Sequence, residues 1–209
     1  MLSFARTERM ALVQTFQEVG SDAPTLCGNW SAKDLLIHLL LRENRPDAAL
    51  GMFLPPAAGH LDKVTKQYQQ HDFEDLLRQW RQGAKAWNPM RYADRFANVT
   101  EHFVHHEDVR RAQPDWQPRT LAPQQKKALE RATTGIAKML LRQSPVRVSL
   151  YTPDRLWQVS AGKGSDTPTV EVHGEIGELL LWLFGRDDHC KVTFEGSAED
   201  LKKVKRAQM

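Results

Sequence analysis

Residues 101–108 read Glu-His-Phe-Val-His-His-Glu-Asp, with three imidazoles and three carboxylates in one short stretch. On a helix, positions four apart share a face. Glu101 and His105 then point the same way, and Asp108 lies three residues further along that stripe. A carboxylate and an imidazole one turn apart are half of a divalent-metal site. His102 and His106 have the same spacing on the neighbouring face. Val99, Phe103 and Val104 straddle both faces, so spacing alone leaves the two registers open.

His38 is the candidate for the missing half. It interrupts the run Leu35-Leu36-Ile37-His38-Leu39-Leu40-Leu41, on a helix apolar enough to be largely buried. A buried neutral imidazole needs partners for its ring nitrogens. It is either a core histidine bonded to an oxygen or a ligand facing the interior of a helical bundle. His38, Glu101 and His105 together make a three-donor set that leaves a coordination position open, as in catalytic sites. Zn²⁺ is the first choice for such donors, and Ni²⁺, Fe²⁺ or Mn²⁺ also fits. Cys27 lies in the turn before the His38 helix. A lone cysteine there reads as a small buried hydrophobe, and no catalytic role is assigned to it. The six tryptophans read as packing groups.

The elements that must position these groups are mostly helices. Phe4, Met10, Leu12, Val13 and Phe16 predict a helix over residues 3–19. Ser31-Ala32-Lys33-Asp34 has the form of a capping box and opens the His38 helix, which Pro46 ends or kinks. Residues 51–60, with two glycines and two prolines, predict a loop. Asp72 caps a third helix with Phe73, Leu76, Leu77 and Trp80 on one side. Asn88-Pro89 predicts a turn, and a fourth helix runs from about 95 to 112 with Phe96, Val99 and Phe103 inward. Pro123 suits the first turn of a fifth.

After Ser144-Pro145 the period changes to two. Strands are predicted at 146–150, 156–159, 169–173 and 191–194, with a loop at 162–168. A short apolar helix at 178–184 ends at Gly185, and Ser197 caps a last one. The expected fold is mainly α with α+β. A helical bundle over residues 1–143 precedes a small α+β domain over 144–209.

Composition narrows the function classes. Of 209 residues, 41% are hydrophobic and 26% charged, with Lys+Arg 29 against Asp+Glu 26. The formal charge of +3 and the absence of a basic stripe argue against a nucleic-acid partner. The longest apolar stretch, residues 179–184, is far too short to span a bilayer, so no membrane partner is expected. Two distant cysteines, Cys27 and Cys190, build neither a disulfide scaffold nor a zinc knuckle and suit a reducing compartment. With no apolar run behind the first residues, no signal peptide is read and a cytoplasmic location is expected. A monomer or homodimer is expected.

Three segments carry a resemblance. They are Cys27-Gly28-Asn29-Trp30-Ser31-Ala32-Lys33-Asp34-Leu35-Leu36-Ile37-His38, Glu101-x-x-x-His105-His106-x-Asp108-Val109, and residues 170–186, from Val170-x-Val172-x-Gly174 to Phe184-Gly185-Arg186. In this order they resemble the DinB-like superfamily, and within it the actinobacterial proteins grouped with mycothiol-dependent maleylpyruvate isomerase. The resemblance implies a DinB-like four-helix bundle holding a divalent ion at His38, Glu101 and His105, which favours that register. It implies a low-molecular-weight thiol such as mycothiol as cofactor and a small electrophilic substrate, hence a thiol transferase or isomerase. Arg42 and Arg45, one and two turns beyond His38, would bind carboxylates of cofactor or substrate. Arg42 and Arg186 are the candidate catalytic arginines, the latter from the C-terminal domain. The alternative is a non-catalytic metal-binding or stress-response module. There a fourth protein group, such as His102, His106 or a carboxylate, would close the site.

Overall fold

The structure is a computed structural model and describes residues 3–83, 90–163 and 170–207, apart from the side chains of 90–97. The chain divides into two compact units, Met1–Trp116 and Gln117–Met209.

In the first unit, α1 (Phe4–Val19) starts at Ser3, whose hydroxyl accepts from the Arg6 amide, and stops at Gly20 with φ of 85°. That left-handed φ favours a residue without Cβ. Helix α2 (Ala32–Asn44) opens with the reciprocal capping box: the Ser31 hydroxyl accepts from Asp34 N at 3.2 Å, and the Asp34 carboxylate accepts from Ser31 N at 3.1 Å. This cap sets the start of the helix that carries His38. Ser31→Ala is expected to lower stability by about 1 kcal/mol, read as a lower urea midpoint at unchanged slope. An unchanged midpoint would show that the cap contributes nothing.

Helices α3 (Pro46–Ala49), α4 (Ala58–Gln69), α5 (Phe73–Gln82) and α6 (Met90–Arg110) follow, with two 3₁₀ turns, Leu50–Met52 and Pro55–Ala57, between α3 and α4. Helices α1, α2, α5 and α6 pack as a four-helix bundle, with α4 laid against α2. Helix α2 is apolar on nearly every side, and Leu35, Leu36, Ile37, Leu39, Leu40 and Leu41 are all buried. They meet Leu12 and Phe16 of α1 and Leu76, Leu77 and Trp80 of α5. Phe16 sits edge-on to Phe73 and Trp80, with centroids 6.2 and 6.4 Å away.

Helix α4 falls partly within the expected loop, and the sequence pattern did not reveal it. Its physical signature is weak because it buries only Val64. The expected Asn88-Pro89 turn and the inward side chain of Phe96 lie outside the described residues. So does most of the expected 162–168 loop.

The second unit begins before the expected boundary. Helix α7 (Pro123–Leu140) belongs to it rather than to the bundle, so the division lies at 116/117 and not at 143/144. The reason is where its apolar face goes. Ala137, Leu140 and the following Leu141 are buried with Val148, Leu150, Val170 and Val172 of the sheet. Trp157 Nε1 also donates to the Glu130 carbonyl of α7 at 3.1 Å.

The strands are β1 (Val148–Tyr151), β2 (Gln158–Ala161), β3 (Val170–His173) and β4 (Thr193–Gly196), in the spatial order β2-β1-β3-β4. Strand β1 pairs antiparallel with β2 and parallel with β3, and β3 pairs antiparallel with β4. Helix α8 (Ile176–Leu183) is buried along its length, and α9 (Ala198–Lys203) is capped by Ser197. Strand β2 starts two residues later than expected. The chain from Thr152 to Trp157 is instead a turn, with Leu156 N donating to Asp154 Oδ1 at 3.1 Å and Leu156 87% exposed. The architecture is mainly α with an α+β second part. Among the described residues no helix is long and apolar enough to cross a membrane.

Candidate metal centre

Helix α2 contributes His38, and α6 contributes Glu101 and His105 from one face, a turn apart. Their donor atoms all lie within 4.8 Å of one another. Glu101 Oε1 is 3.4 Å from His38 Nε2 and 3.2 Å from His105 Nε2. A tetrahedral ion with bonds of about 2.0–2.1 Å needs ligand atoms roughly 3.4 Å apart. The two distances from Glu101 are close to that spacing, so the three side chains are placed where they could hold a divalent ion. The side chains are 12–19% exposed, so the set is partly open to solvent rather than sealed.

The surroundings orient the donors. Asp108, fully buried, faces His105 Nδ1 at 2.9 Å. An ionised carboxylate only accepts, so Nδ1 carries the proton of that bond and Nε2 is turned toward Glu101 and His38. This is the usual way an outer carboxylate fixes the tautomer of a metal-ligating histidine. Cys27 Sγ donates to the same Asp108 oxygen at 3.1 Å and lies 3.7 Å from His105 Nδ1. The backbone helps too: Leu26 N donates to the Asp108 carbonyl at 3.0 Å, holding the Cys27 turn against α6. The Trp30 ring lies 5.1 Å from the His38 ring and forms one wall.

Electrostatics follow from this packing. Burial raises the cost of ionising Glu101, but hydrogen bonds from His105 and His38 and the charge of Arg42 outweigh it, holding its pKa well below the usual carboxylate range. Burial likewise opposes a charge on His105, yet Asp108, Cys27 and Glu101 raise its pKa well above the ordinary value. For His38 burial wins, helped by His105 and Arg42, and its pKa is lowered. The cluster thus presents an anionic oxygen and a neutral imidazole beside an imidazole whose proton an incoming cation must displace.

The rival register is used otherwise. His102 is buried, with Nδ1 donating to the Ala5 carbonyl at 2.9 Å and Nε2 3.0 Å from Glu43 Oε1. His106 is buried with Nδ1 2.8 Å from Glu8 Oε1 and Nε2 2.9 Å from Thr15 Oγ1. His106 is engaged by α1 alone, and His102 by α1 and by Glu43 of α2.

The arginines separate. Arg42 reaches the cluster, with Nε 3.4 Å from Glu101 Oε1 and Nη1 donating to Asn98 Oδ1 at 2.7 Å. Arg45 does not continue that helix face. Helix α2 ends at Asn44, and Arg45, at φ −128° and ψ 69°, turns its guanidinium to Asp47 at 2.7 and 2.9 Å. Arg186 belongs to the second unit, where Nη1 donates to the Phe184 carbonyl at 2.6 Å. Asn98 was missed by sequence reasoning. The signal was present, since 98, 101, 105 and 108 follow the three-four spacing of one helix face.

No family model matches the chain, and no curated protein matches it by sequence. Solved structures do. A crystal structure of a mutant of mycothiol-dependent maleylpyruvate isomerase is similar at a TM-score of 0.57 and 12% identity, over 92% of this chain and 96% of that one. A second crystal structure of that enzyme is similar at 0.52 and 13%, with the same coverage. This chain has the fold of that isomerase. The likeness spans both units, although so low an identity leaves the chemistry to be argued from the residues.

Proposed function

We propose that this protein is a metal-dependent enzyme that uses a low-molecular-weight thiol, of the mycothiol type, to isomerise or modify a small electrophilic substrate. The observation that supports it is the three-donor cluster of His38, Glu101 and His105, with donor atoms within 4.8 Å of one another, partly open to solvent and with a guanidinium at its edge. These three residues would hold a divalent ion, Zn²⁺ first. When bound, the ion would supply a positive centre that favours thiolate over thiol near neutral pH, and thiolate is the nucleophile.

The remaining roles fall to the chain. Asp108 keeps the His105 proton on Nδ1 and leaves Nε2 for the site. Arg42, held by Asn98 and Glu101, offers planar donors suited to a carboxylate on the thiol or the substrate. Arg45 would take part only after releasing Asp47. Trp30 covers one side of His38. The non-catalytic alternative needs a fourth protein ligand. His102 and His106, the imidazoles considered for that role, are engaged with α1 and α2.

The test is spectroscopic. The cobalt(II)-substituted protein is expected to change its visible absorption saturably on addition of mycothiol, and the His38→Ala protein is expected not to. An absorption band indifferent to mycothiol would leave a metal protein without thiol chemistry and overturn the proposal.

A further inference from the structure

The sheet of the second unit has two unlike faces. Val170 and Val172 of β3 point into the core with α7 and α8, while Glu171 and His173 alternate to the other side. On the neighbouring edge strand, Glu195 is the register partner of Glu171. Two carboxylates directly opposite each other across strands repel and weaken the pairing. Among the described residues no lysine or arginine pairs with either of them. What stands between them is His173. Its Nε2 is 3.2 Å from Glu171 Oε2 and 3.6 Å from Glu195 Oε1.

That nitrogen is buried from solvent and makes no hydrogen bond, despite having two carboxylates beside it. The two distances bracket the roughly 3.4 Å edge of a tetrahedral ion with bonds of about 2.0–2.1 Å. All three donor atoms lie within 4.8 Å of one another. The imidazole is fixed in place by stacking on Tyr151, at 5.2 Å between centroids and 15° between planes. Tyr151 is in turn covered by the Arg155 guanidinium, 5.1 Å above its ring.

We propose that Glu171, His173 and Glu195 form a second divalent-cation site, independent of the one in the bundle. Two carboxylates match the charge of one divalent ion, and the imidazole adds a nitrogen donor. The nitrogen donor selects a first-row transition ion, Zn²⁺ above all, over Mg²⁺ or Ca²⁺, which prefer oxygen. Glu195 is 69% exposed at its side chain, so water fills the remaining coordination. The ion replaces the repulsion between Glu171 and Glu195 with a bridge. It thereby staples the exposed edge strand β4, and the α9 segment that follows it, to β3.

The experiment uses the full chain with the bundle site removed, His38→Ala with His105→Ala. Folding is checked by circular dichroism. At low-micromolar zinc this protein is expected to bind one equivalent and to unfold at a higher temperature than without zinc. Adding Glu171→Gln and Glu195→Gln, or His173→Ala, is expected to weaken the binding by at least about tenfold, since losing even an outer partner of a site costs that much, and to abolish the thermal shift. Should the bundle substitutions prevent folding, Glu171→Gln with Glu195→Gln in the otherwise unaltered chain must lower zinc stoichiometry by one equivalent. Zinc uptake that these sheet substitutions leave unchanged, or a folded bundle variant that takes up no zinc, overturns the proposal. Failure of the bundle site alone would leave the sheet result intact.

Discussion

His38→Ala, and separately His105→Ala, is expected to remove one equivalent of divalent metal from the purified protein. Three donors become two, and the affinity is expected to fall by at least about tenfold, the lower bound for disturbing even an outer partner of such a site. The two variants should differ in stability. His38 is partly open to solvent and has a lowered pKa, so its removal mainly opens space beside Trp30. His105 is the partner of the fully buried Asp108, and its loss leaves that carboxylate with fewer donors, a cost of about 1–3 kcal/mol. Elemental analysis decides the first point and denaturant titration the second. Undiminished metal in both variants would refute the ligand assignment.

Glu43→Gln is expected to be among the most destabilising single changes in the bundle. Glu43 is 2% exposed and accepts two bonds of 2.7 Å from the Arg9 guanidinium, while His102 Nε2 lies 3.0 Å away. Arg9 also donates to the Trp80 carbonyl at 2.9 Å and lies over the Trp80 ring, 4.9 Å from its centroid. The amide keeps the shape but removes the charge, leaving a buried guanidinium uncompensated. Breaking a buried pair in this way costs about 3–5 kcal/mol.

The pH dependence has a definite sign. Burial opposes the Glu43 charge, yet hydrogen bonds from His102 and Arg9 outweigh it, so its pKa lies below the ordinary carboxylate value in the folded protein. A depressed folded pKa means that the unfolded state binds the proton more readily. The contribution is therefore fully present above the unfolded value and is lost as pH falls through the lower, folded one. Denaturation midpoints of the original and Glu43→Gln proteins should be well separated near neutrality and converge in acid. A constant gap across that range would show that the charge on Glu43 is not what stabilises the bundle.

Much of the site is legible in the sequence. The apolar run around His38, its capping box and the spacing of Glu101, His105 and Asp108 are all local patterns, and the helices they imply are present. Helix α4 was not visible because a helix that buries only Val64 leaves no apolar stripe to read. The affiliation of α7 was not visible either. Its apolar face is equally compatible with a bundle or a sheet, and only its neighbours distinguish them. Arg45 was expected on the His38 face because helical spacing was extended past Asn44, where the backbone leaves the helix.

Local spacing thus determined which donors share a helix face, that α2 is buried, and that a β-rich part follows the helices. The folded molecule decided which face of α6 meets His38. Glu8, Thr15 and the Ala5 carbonyl of α1, with Glu43 of α2, engage His102 and His106, and this leaves His105 for the site. It also decided that Glu171 and Glu195 stand opposite each other, since strand register depends on pairing between segments. Periodicity constrains a helix or strand only relative to its own axis. The rotation of that axis toward its neighbours is set by the groups those neighbours offer, and these lie far away along the chain.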